Sequence, residues 1–300
     1  MKWIKQGLIV QPQYGLDWMV THAMVPVAMH LQDYIYRIYF SGRDKHNRSH
    51  IGYVEIDIRE PRKILRISEH PSLGLGDLGC FDDNGVTPSW IVDHNNKRYL
   101  FYIGWNMGST TRMGLIAGLA ISYDGGTSFH RVSRAPILER TDSEPYSLMT
   151  GPCVIIENDI WRMWYVSGVE WANKDMPRYN IKYAESKDGI TWNRSGLTCI
   201  DFKGKENALA RPCVLKENSI YRMWYSYKGE YYRIGYAESP DGFVWERKDD
   251  EVGIDVSPSS WDSEMIEYAF VFDHRDTKYM LYNGNDYGTG GIGLAIMEDD

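Results

Sequence analysis

The sequence lacks any long hydrophobic run. No stretch approaches the roughly 18 consecutive apolar residues that a membrane-spanning helix needs. The N-terminal segment, MKWIKQGLIVQPQ, also has neither an apolar core nor a small-residue cleavage site. These absences predict a chain that does not enter a membrane and carries no secretory signal, so we expect a cytoplasmic location.

Positive charge and paired cysteines are also scarce. The 33 Lys and Arg residues are outnumbered by 41 Asp and Glu residues, which gives a formal net charge of −8. Proteins that bind nucleic acid without base specificity need a basic face, so nucleic acid is not an expected partner. The four cysteines form no C-x-x-C pair, so we expect reduced thiols, no zinc site and no cofactor.

Sustained helical periodicity is absent as well, whereas tyrosine and tryptophan are abundant. There are 22 Tyr and 11 Trp residues against only 8 Phe. These flat side chains combine an apolar ring with a polar atom, and they suit both strands and sugar-binding clefts.

One phrase occurs five times along the chain: an apolar run, a short polar turn and a run rich in Tyr and Trp. Its copies are Pro26–Phe40, Pro88–Tyr102, Pro152–Tyr165, Pro212–Tyr225 and Ala269–Tyr282. Alternating β-branched and aromatic residues around a polar turn predict a β-hairpin in each copy. A regular repeat of this length indicates a fold built from similar units.

A second phrase, such as IGYAESPDGFVW from Ile234, follows each hairpin and predicts a third strand, a turn and a fourth strand. The last copy reaches Asp300 without a fourth strand, whereas the segment at Trp3 resembles the one at Trp192. We therefore predict an all-β, five-bladed β-propeller with four antiparallel strands per blade. The N-terminal strand should complete the last blade and close the ring, and residues 1–300 should form a single domain.

The residues just before each hairpin should converge on the axis of such a ring. Carboxylates dominate there, and paired carboxylates can divide the roles of acid and base in glycosidic cleavage. The catalytic candidates are Asp83, its neighbour Asp82, Glu206 and Glu144. Asp83 is the favoured base or transition-state stabiliser, with Asp82 as its rival, and Glu206 and Glu144 are the candidate acids.

Seven further residues are expected to bind substrate from the same end of the ring. They are His22, Arg211, Glu264, Glu267, Arg43, Trp105 and Asp286. Arg211 suits an anionic group because its guanidinium forms charge-assisted hydrogen bonds. Trp105 is a candidate for stacking on a sugar ring, as are Trp171, Tyr179 and Tyr287, and core packing is the alternative for each. For any single acid, the alternative is a structural role in the loops.

The hairpins, the YRMWYS second strand and the IGYAESPDGFVW phrase resemble the five-bladed propeller glycosidases, the group that contains glycoside hydrolase families 43, 32, 62, 117 and 130. The resemblance covers nearly the whole chain and implies the propeller fold and a saccharide ligand. Families 43 and 32 place Asp in the first two blades and Glu in the third, whereas this chain has His22 in the first blade and Gly151 before Pro152 in the third. The resemblance therefore assigns no single family. Some members of the group hold one metal ion in the channel, so the resemblance leaves open whether this chain binds a metal there.

The sequence predicts an enzyme that acts on a glycosidic bond, by hydrolysis or a related transfer, with carboxylates from different blades. One alternative is a carbohydrate-binding propeller without catalysis, which the missing first-blade Asp favours. Another is an enzyme of sugar-nucleotide or surface-polysaccharide metabolism, in which Arg211 or Arg43 would hold phosphate.

Overall fold

The computed structural model describes residues 1–12 and 14–298, and nearly all of its regular structure is antiparallel β-sheet. Strand β1 (Trp3–Val10) does not pair with the strands that follow it in the sequence and belongs to the sheet of the last unit. The first unit contains β2 (Thr21–Gln32), β3 (Ile35–Arg43), β4 (Ser49–Asp57) and β5 (Ile64–Ile67). The second contains β6 (Gly85–His94), β7 (Lys97–Met107), β8 (Met113–Ser122) and β9 (His130–Arg131).

The remaining units repeat this plan. The third contains β10 (Leu148–Glu157), β11 (Ile160–Asn173), β12 (Met176–Ser186) and β13 (Thr198–Ile200). The fourth contains β14 (Ala208–Glu217), β15 (Ile220–Lys228), β16 (Tyr232–Ser239) and β17 (Glu246–Arg247). The fifth contains β18 (Glu267–His274), β19 (Thr277–Asn283) and β20 (Ile292–Met297), together with β1.

These five sheets stand in a ring. Each first strand contacts the first strand of the next unit, and β18 contacts β2, which closes the circle. The fold is therefore the predicted five-bladed β-propeller. Across residues 1–12 and 14–298, helix is limited to a 3-10 turn at Asp249–Glu251 and a short segment at Asn285–Gly288. No helix among the described residues is both long and apolar enough to cross a membrane.

The hairpins form because their turn residues accept the left-handed conformation. Two-residue hairpin turns of the favoured type need positive φ at both central positions, which Asn and Asp tolerate better than most residues. Asn95 and Asn96 have φ of 49° and 58°, and Asn158 and Asp159 have φ of 49° and 62°. The predicted polar turns are thus confirmed.

The ring closes as the sequence predicts. Strand β1 pairs antiparallel with β20, from Trp3 opposite Met297 to Val10 opposite Ile292. The Trp3 indole also donates a buried hydrogen bond, at 2.9 Å, to the carbonyl of Val252 in the segment between β17 and β18. The final residues of the last repeat, Asp299 and Asp300, lie outside the described residues.

Candidate functional site

The five inner strands share a feature at one end, namely the residue directly before the Pro or Ala that opens each hairpin. The five residues are Val25, Thr87, Gly151, Arg211 and Tyr268. In four blades this residue has positive φ, between 53° and 58°, and coincides with a shift in strand register. Such bulges redirect a side chain that regular pairing would place elsewhere. All five residues line one cavity on the axis.

Side chains from neighbouring strands hold these bulges in place. The backbone amide of Val25 donates to Asn283 Oδ1 at 2.8 Å, and the amide of Tyr268 donates to Ser226 Oγ at 2.8 Å. Positive φ is unfavourable for a β-branched residue, so the surrounding contacts must maintain it at Val25. Backbone strain of this kind is concentrated at functional sites.

The axial cavity has a volume of about 580 Å³, within the usual size range of small-molecule sites. Its aromatic lining consists of Trp105, Tyr179, Tyr232, Tyr268 and Tyr287. The Trp105 indole donates to Thr87 Oγ1 at 3.2 Å, and the hydroxyls of Tyr179 and Tyr232 share a hydrogen bond of 2.7 Å. The polar atoms of these three side chains are therefore fixed by protein contacts.

Two long hairpins build one wall of the cavity. The β7–β8 and β11–β12 hairpins extend beyond the ring, and the amide of Arg112 donates to the carbonyl of Lys174 at 2.8 Å to join them. This contact positions Arg112 and Asp175 in the lining.

Positive charge is concentrated in this lining. The four cations are Arg43, Arg112, Arg211 and Lys228. Three of them donate to neutral oxygens: Arg43 to Asn47 Oδ1 at 3.0 Å, Arg211 to the Pro26 carbonyl at 2.9 Å and Lys228 to the Tyr287 hydroxyl at 2.9 Å. Within residues 1–12 and 14–298, none of the four forms an ion pair with a carboxylate.

Arg211 has the most unusual surroundings of the four. Its side chain is 2% exposed, and both Nε and Nη1 lack a hydrogen-bond partner among the described residues. Burial lowers its pKa to about 10, so it keeps its charge at neutral pH. The Thr150 hydroxyl, also buried in the lining, has no partner within the same part of the chain.

Glu267 is fully buried beside this lining, directly before Tyr268. Neither of its carboxyl oxygens has a hydrogen-bond partner among the residues described. Burial raises the pKa of the Glu267 carboxyl well above its usual range; Lys228 opposes this effect and Asp286 adds to it. The protonated, neutral form is therefore favoured.

The structure brings three of the seven predicted binding residues into the lining, namely Arg43, Trp105 and Arg211. His22 lies nearby, and its Nε2 is 3.1 Å from Thr289 Oγ1. Burial lowers the pKa of His22 to about 4, and Arg43 contributes to this, so the ring is neutral at pH 7. Glu264 and Asp286 are exposed and, like Glu267, do not line the cavity.

The predicted catalytic acids are not brought into the cavity lining. Asp83 holds its own loop, accepting from the Gly79 amide at 2.8 Å and from Asn106 Nδ2 at 2.9 Å. Asp82 is 1% exposed and accepts from the Tyr102 hydroxyl at 2.9 Å and from Arg131 Nε at 2.7 Å. Their existing partners favour a structural role for both carboxylates.

The other two predicted acids are engaged in the same way. Glu144 is 1% exposed and accepts from Ser167 Oγ at 2.6 Å and from Arg194 Nη1 at 2.9 Å. Glu206 accepts from both terminal nitrogens of Arg247, each at 2.8 Å. The prediction that these acids meet on the axis does not agree with the structure, because each is held by partners outside the cavity lining.

A repeated Tyr–acid cluster explains the positions of two of these acids, Asp82 and Glu144. The equivalent second-strand tyrosines Tyr102, Tyr165, Tyr225 and Tyr282 donate to Asp82, Glu144, Asp249 and Asp262, respectively. In the first blade, Phe40 takes the tyrosine position and packs against Trp18, with ring centroids 5.7 Å apart. In three blades the acid precedes the tyrosine by 20 or 21 residues, a spacing that would have revealed the cluster in the sequence.

The lining residues that were not predicted include Arg112, Lys228 and Tyr232. They lie at or near the ends of second and third strands, whereas the prediction considered mainly residues before the first strand. For Arg112, the extra length of the β7–β8 hairpin was a signal in the sequence. Within the described residues, no group of three His, Cys, Asp or Glu side chains could hold a metal ion.

No family model matches the chain. It is 44% identical over 301 aligned residues to "Uncharacterized protein MT1551" of Mycobacterium tuberculosis strain CDC 1551 / Oshkosh, with both chains covered in full. "Uncharacterized protein Rv1502" of Mycobacterium tuberculosis strain ATCC 25618 / H37Rv is also 44% identical over the same length and coverage.

Solved structures share the fold at lower identity. A glycoside hydrolase has a TM-score of 0.78 at 19% identity, covering 99% of this chain and 92% of its own. A glycosyl hydrolase from Bacteroides ovatus has a TM-score of 0.74 at 13% identity, covering 97% and 91%. A thermostable family-43 glycoside hydrolase has a TM-score of 0.67 at 16% identity, covering 97% and 94%. The likeness predicted from the sequence is thus confirmed at the level of the fold.

Proposed function

Since the chain belongs to the same family as the Mycobacterium tuberculosis proteins MT1551 and Rv1502, and folds as glycoside hydrolases do, we propose that it is a glycosidase-like enzyme that holds a saccharide in its axial cavity. The reaction proposed is cleavage or transfer at a glycosidic bond. We also propose that the described ring acts as one domain.

The observation that carries this proposal is the aromatic lining of the cavity. Trp105 and Tyr268 come from different blades and face the same space, which holds about 580 Å³. Sugar rings present flat C–H faces that pack against aromatic rings, while their hydroxyls pair with polar atoms around the edge. A saccharide of one or two rings suits a cavity of this size and lining.

Glu267 is the proposed proton donor. Cleavage of a glycosidic bond needs an acid that is protonated at the working pH, and burial favours the protonated form of this carboxyl. Glu267 lies next to Tyr268, which lines the cavity, so the proposal requires the substrate to reach the carboxyl past that ring. The structural contacts of Asp82, Asp83, Glu144 and Glu206 make each a weaker candidate; their predicted roles remain untested.

Carbohydrate binding without catalysis is the second candidate. It is favoured by the residues directly before the five hairpins, none of which carries a carboxylate: Val25, Thr87, Gly151, Arg211 and Tyr268. Glycosidic cleavage usually needs two carboxyl groups across the scissile bond. The exposed loop residues Asp175 and Glu230 are the only carboxylates in the lining formed by the described residues.

Turnover and binding assays on one panel of oligosaccharides separate the two candidates. The enzyme proposal predicts product formation by the native chain and loss of turnover with retained binding in Glu267→Gln. Glu60→Gln is the matched control, because that side chain is 73% exposed on an outer turn. Binding without any product would support the non-catalytic candidate. Absence of both would contradict a saccharide function.

A further inference from the structure

We propose that the axial cavity selects a saccharide carrying a negatively charged group, a carboxylate or a phosphate, and that Arg211 binds this group. This inference rests on the proposed function, since it assumes that the cavity holds a saccharide. It goes further by naming the chemical class of the substrate and the residue that recognises it.

Arg211 carries a positive charge that no neighbouring group of the described protein neutralises. A buried guanidinium with unpaired donors costs free energy unless a partner compensates for it. Its one hydrogen bond goes to the neutral carbonyl of Pro26. The two thiols beside it, Cys153 and Cys213, have pKa values raised by burial, so neither supplies an anion at neutral pH. The Arg211 charge therefore lacks a counterion within the described protein.

The charged side chains around the cavity are mostly positive. Burial lowers the pKa of the Arg43 guanidinium. The nearby positive charge of Arg112 also lowers it. Lys228 lies 5.3 Å from the centre of the Tyr232 ring and adds a third cation to the lining. Like charges held together without a counterion are unfavourable, and an anionic ligand would remove this repulsion.

Acidic residues do not cancel this positive charge. The lining contains only two carboxylates among the described residues, Asp175 and Glu230, against four cations, and both are exposed in loops, where water and salt screen them. Burial favours the neutral form of the Glu267 carboxyl. The whole chain has a formal charge of −8, so the cations of the cavity stand out against an acidic background. A local concentration of one sign attracts ligands of the opposite sign.

Guanidinium groups bind carboxylate and phosphate oxygens through short, charge-assisted hydrogen bonds. A sugar carries such oxygens as a uronic acid or as a sugar phosphate. The unpaired Thr150 hydroxyl, buried in the same lining, is available as a further hydrogen-bond partner. Arg211 would recognise the carboxylate of a uronic acid and the phosphate of a sugar phosphate by the same hydrogen bonds. Sugars that differ only in this group distinguish the two.

Titration calorimetry with matched sugars tests the inference. The probes are glucose with glucuronate and glucose 6-phosphate, and galactose with galacturonate. We expect at least one anionic sugar to bind about tenfold or more tightly than its neutral partner. The anionic sugar that binds identifies the group as carboxylate or phosphate. Arg211→Gln should abolish the preference for the anionic sugar. Lys97→Gln should keep it, because Lys97 is exposed at the turn of the β6–β7 hairpin, at the end away from the cavity residue Trp105.

A second variant keeps the test decisive if Arg211→Gln does not fold. Arg112 is exposed, so Arg112→Gln should fold normally and reduce the preference several-fold. Equal binding of neutral and anionic sugars would overturn the inference and leave the proposed function standing. If Arg211→Gln or Arg112→Gln folds and keeps the full preference for anionic sugars, the inference is also overturned. Failure of every sugar to bind would contradict the proposed function itself.

Discussion

The Tyr165 hydroxyl donates to the Glu144 carboxylate inside the third blade, where it lies 2.8 Å and 3.0 Å from the two carboxylate oxygens. Arg194 and Lys182 supply the positive charge, with nitrogen–oxygen distances of 2.9 Å and 3.6 Å. Every one of these groups is largely buried. Glu144 therefore acts as the anionic centre of a closed cluster that joins strands of one blade.

Glu144→Gln should destabilise the fold strongly. The substitution leaves two buried cations without a counterion, and breaking a buried pair costs about 3–5 kcal/mol. Urea unfolding monitored by tryptophan fluorescence measures the change. Tyr165→Phe, which removes only the neutral donor, should cost about 1–2 kcal/mol. Unchanged stability together with lost turnover in Glu144→Gln would instead support the catalytic role predicted from the sequence.

Removal of residues 1–10 should destabilise the whole ring. The deletion takes away β1, the Trp3 hydrogen bond to Val252 and the ion pair of Lys5 with buried Asp262 at 2.7 Å. It also exposes the edge of β20, which favours aggregation. Thermal unfolding should show a much lower midpoint or no cooperative transition. Lys2→Ala is the control, because that side chain is 67% exposed, and it should unfold as the native chain does. A truncated chain with native stability would show that closure contributes little.

The fold was largely predictable from the sequence because each blade repeats a local pattern. Polar turns such as Asn95–Asn96 and the likeness between the segments at Trp3 and Trp192 revealed the hairpins and the closing strand. The site was less predictable. Asp82 and Arg211 both precede a hairpin, yet Asp82 turns into its blade and Arg211 faces the axis. Bulge geometry and partners from distant strands decide this difference, and hydrophobic pattern reports neither.

Glu267 should make the stability of the native chain fall as pH rises. Its folded-state pKa is raised, so its contribution is fully present below the ordinary Glu pKa of about 4.3 and is lost as pH rises toward the folded value. The slope should reach at most about 1.4 kcal/mol per pH unit. Denaturant unfolding from pH 5 to pH 8 measures it. Glu267→Gln cannot ionise, so its stability relative to the native chain should improve across this range. Parallel curves for the two proteins would show that Glu267 keeps an ordinary pKa.

Asn283→Ala should disturb the bulge at Val25 and thereby the cavity. Asn283 accepts from the Val25 amide and donates to the carbonyls of Ala23 and Gly291, at 2.8 Å and 2.7 Å. Truncation leaves three buried backbone groups unpaired, at about 1–3 kcal/mol each before relaxation. We expect lower stability and at least a several-fold loss of saccharide affinity. Gln32→Ala, which truncates an exposed amide side chain at the far end of β2, serves as the comparison for stability. If folded Asn283→Ala protein binds saccharide with native affinity, the bulge at Val25 does not shape the binding site.

The account depends most on an anionic saccharide lying in the axial cavity against Arg211. A crystal structure of the protein soaked with the anionic sugar that binds most tightly tests this directly. The account predicts a sugar ring against an aromatic side chain such as Trp105, with a carboxylate or phosphate oxygen about 2.7–3.2 Å from an Arg211 nitrogen. A sugar bound only elsewhere, with nothing but water on the axis, would contradict it.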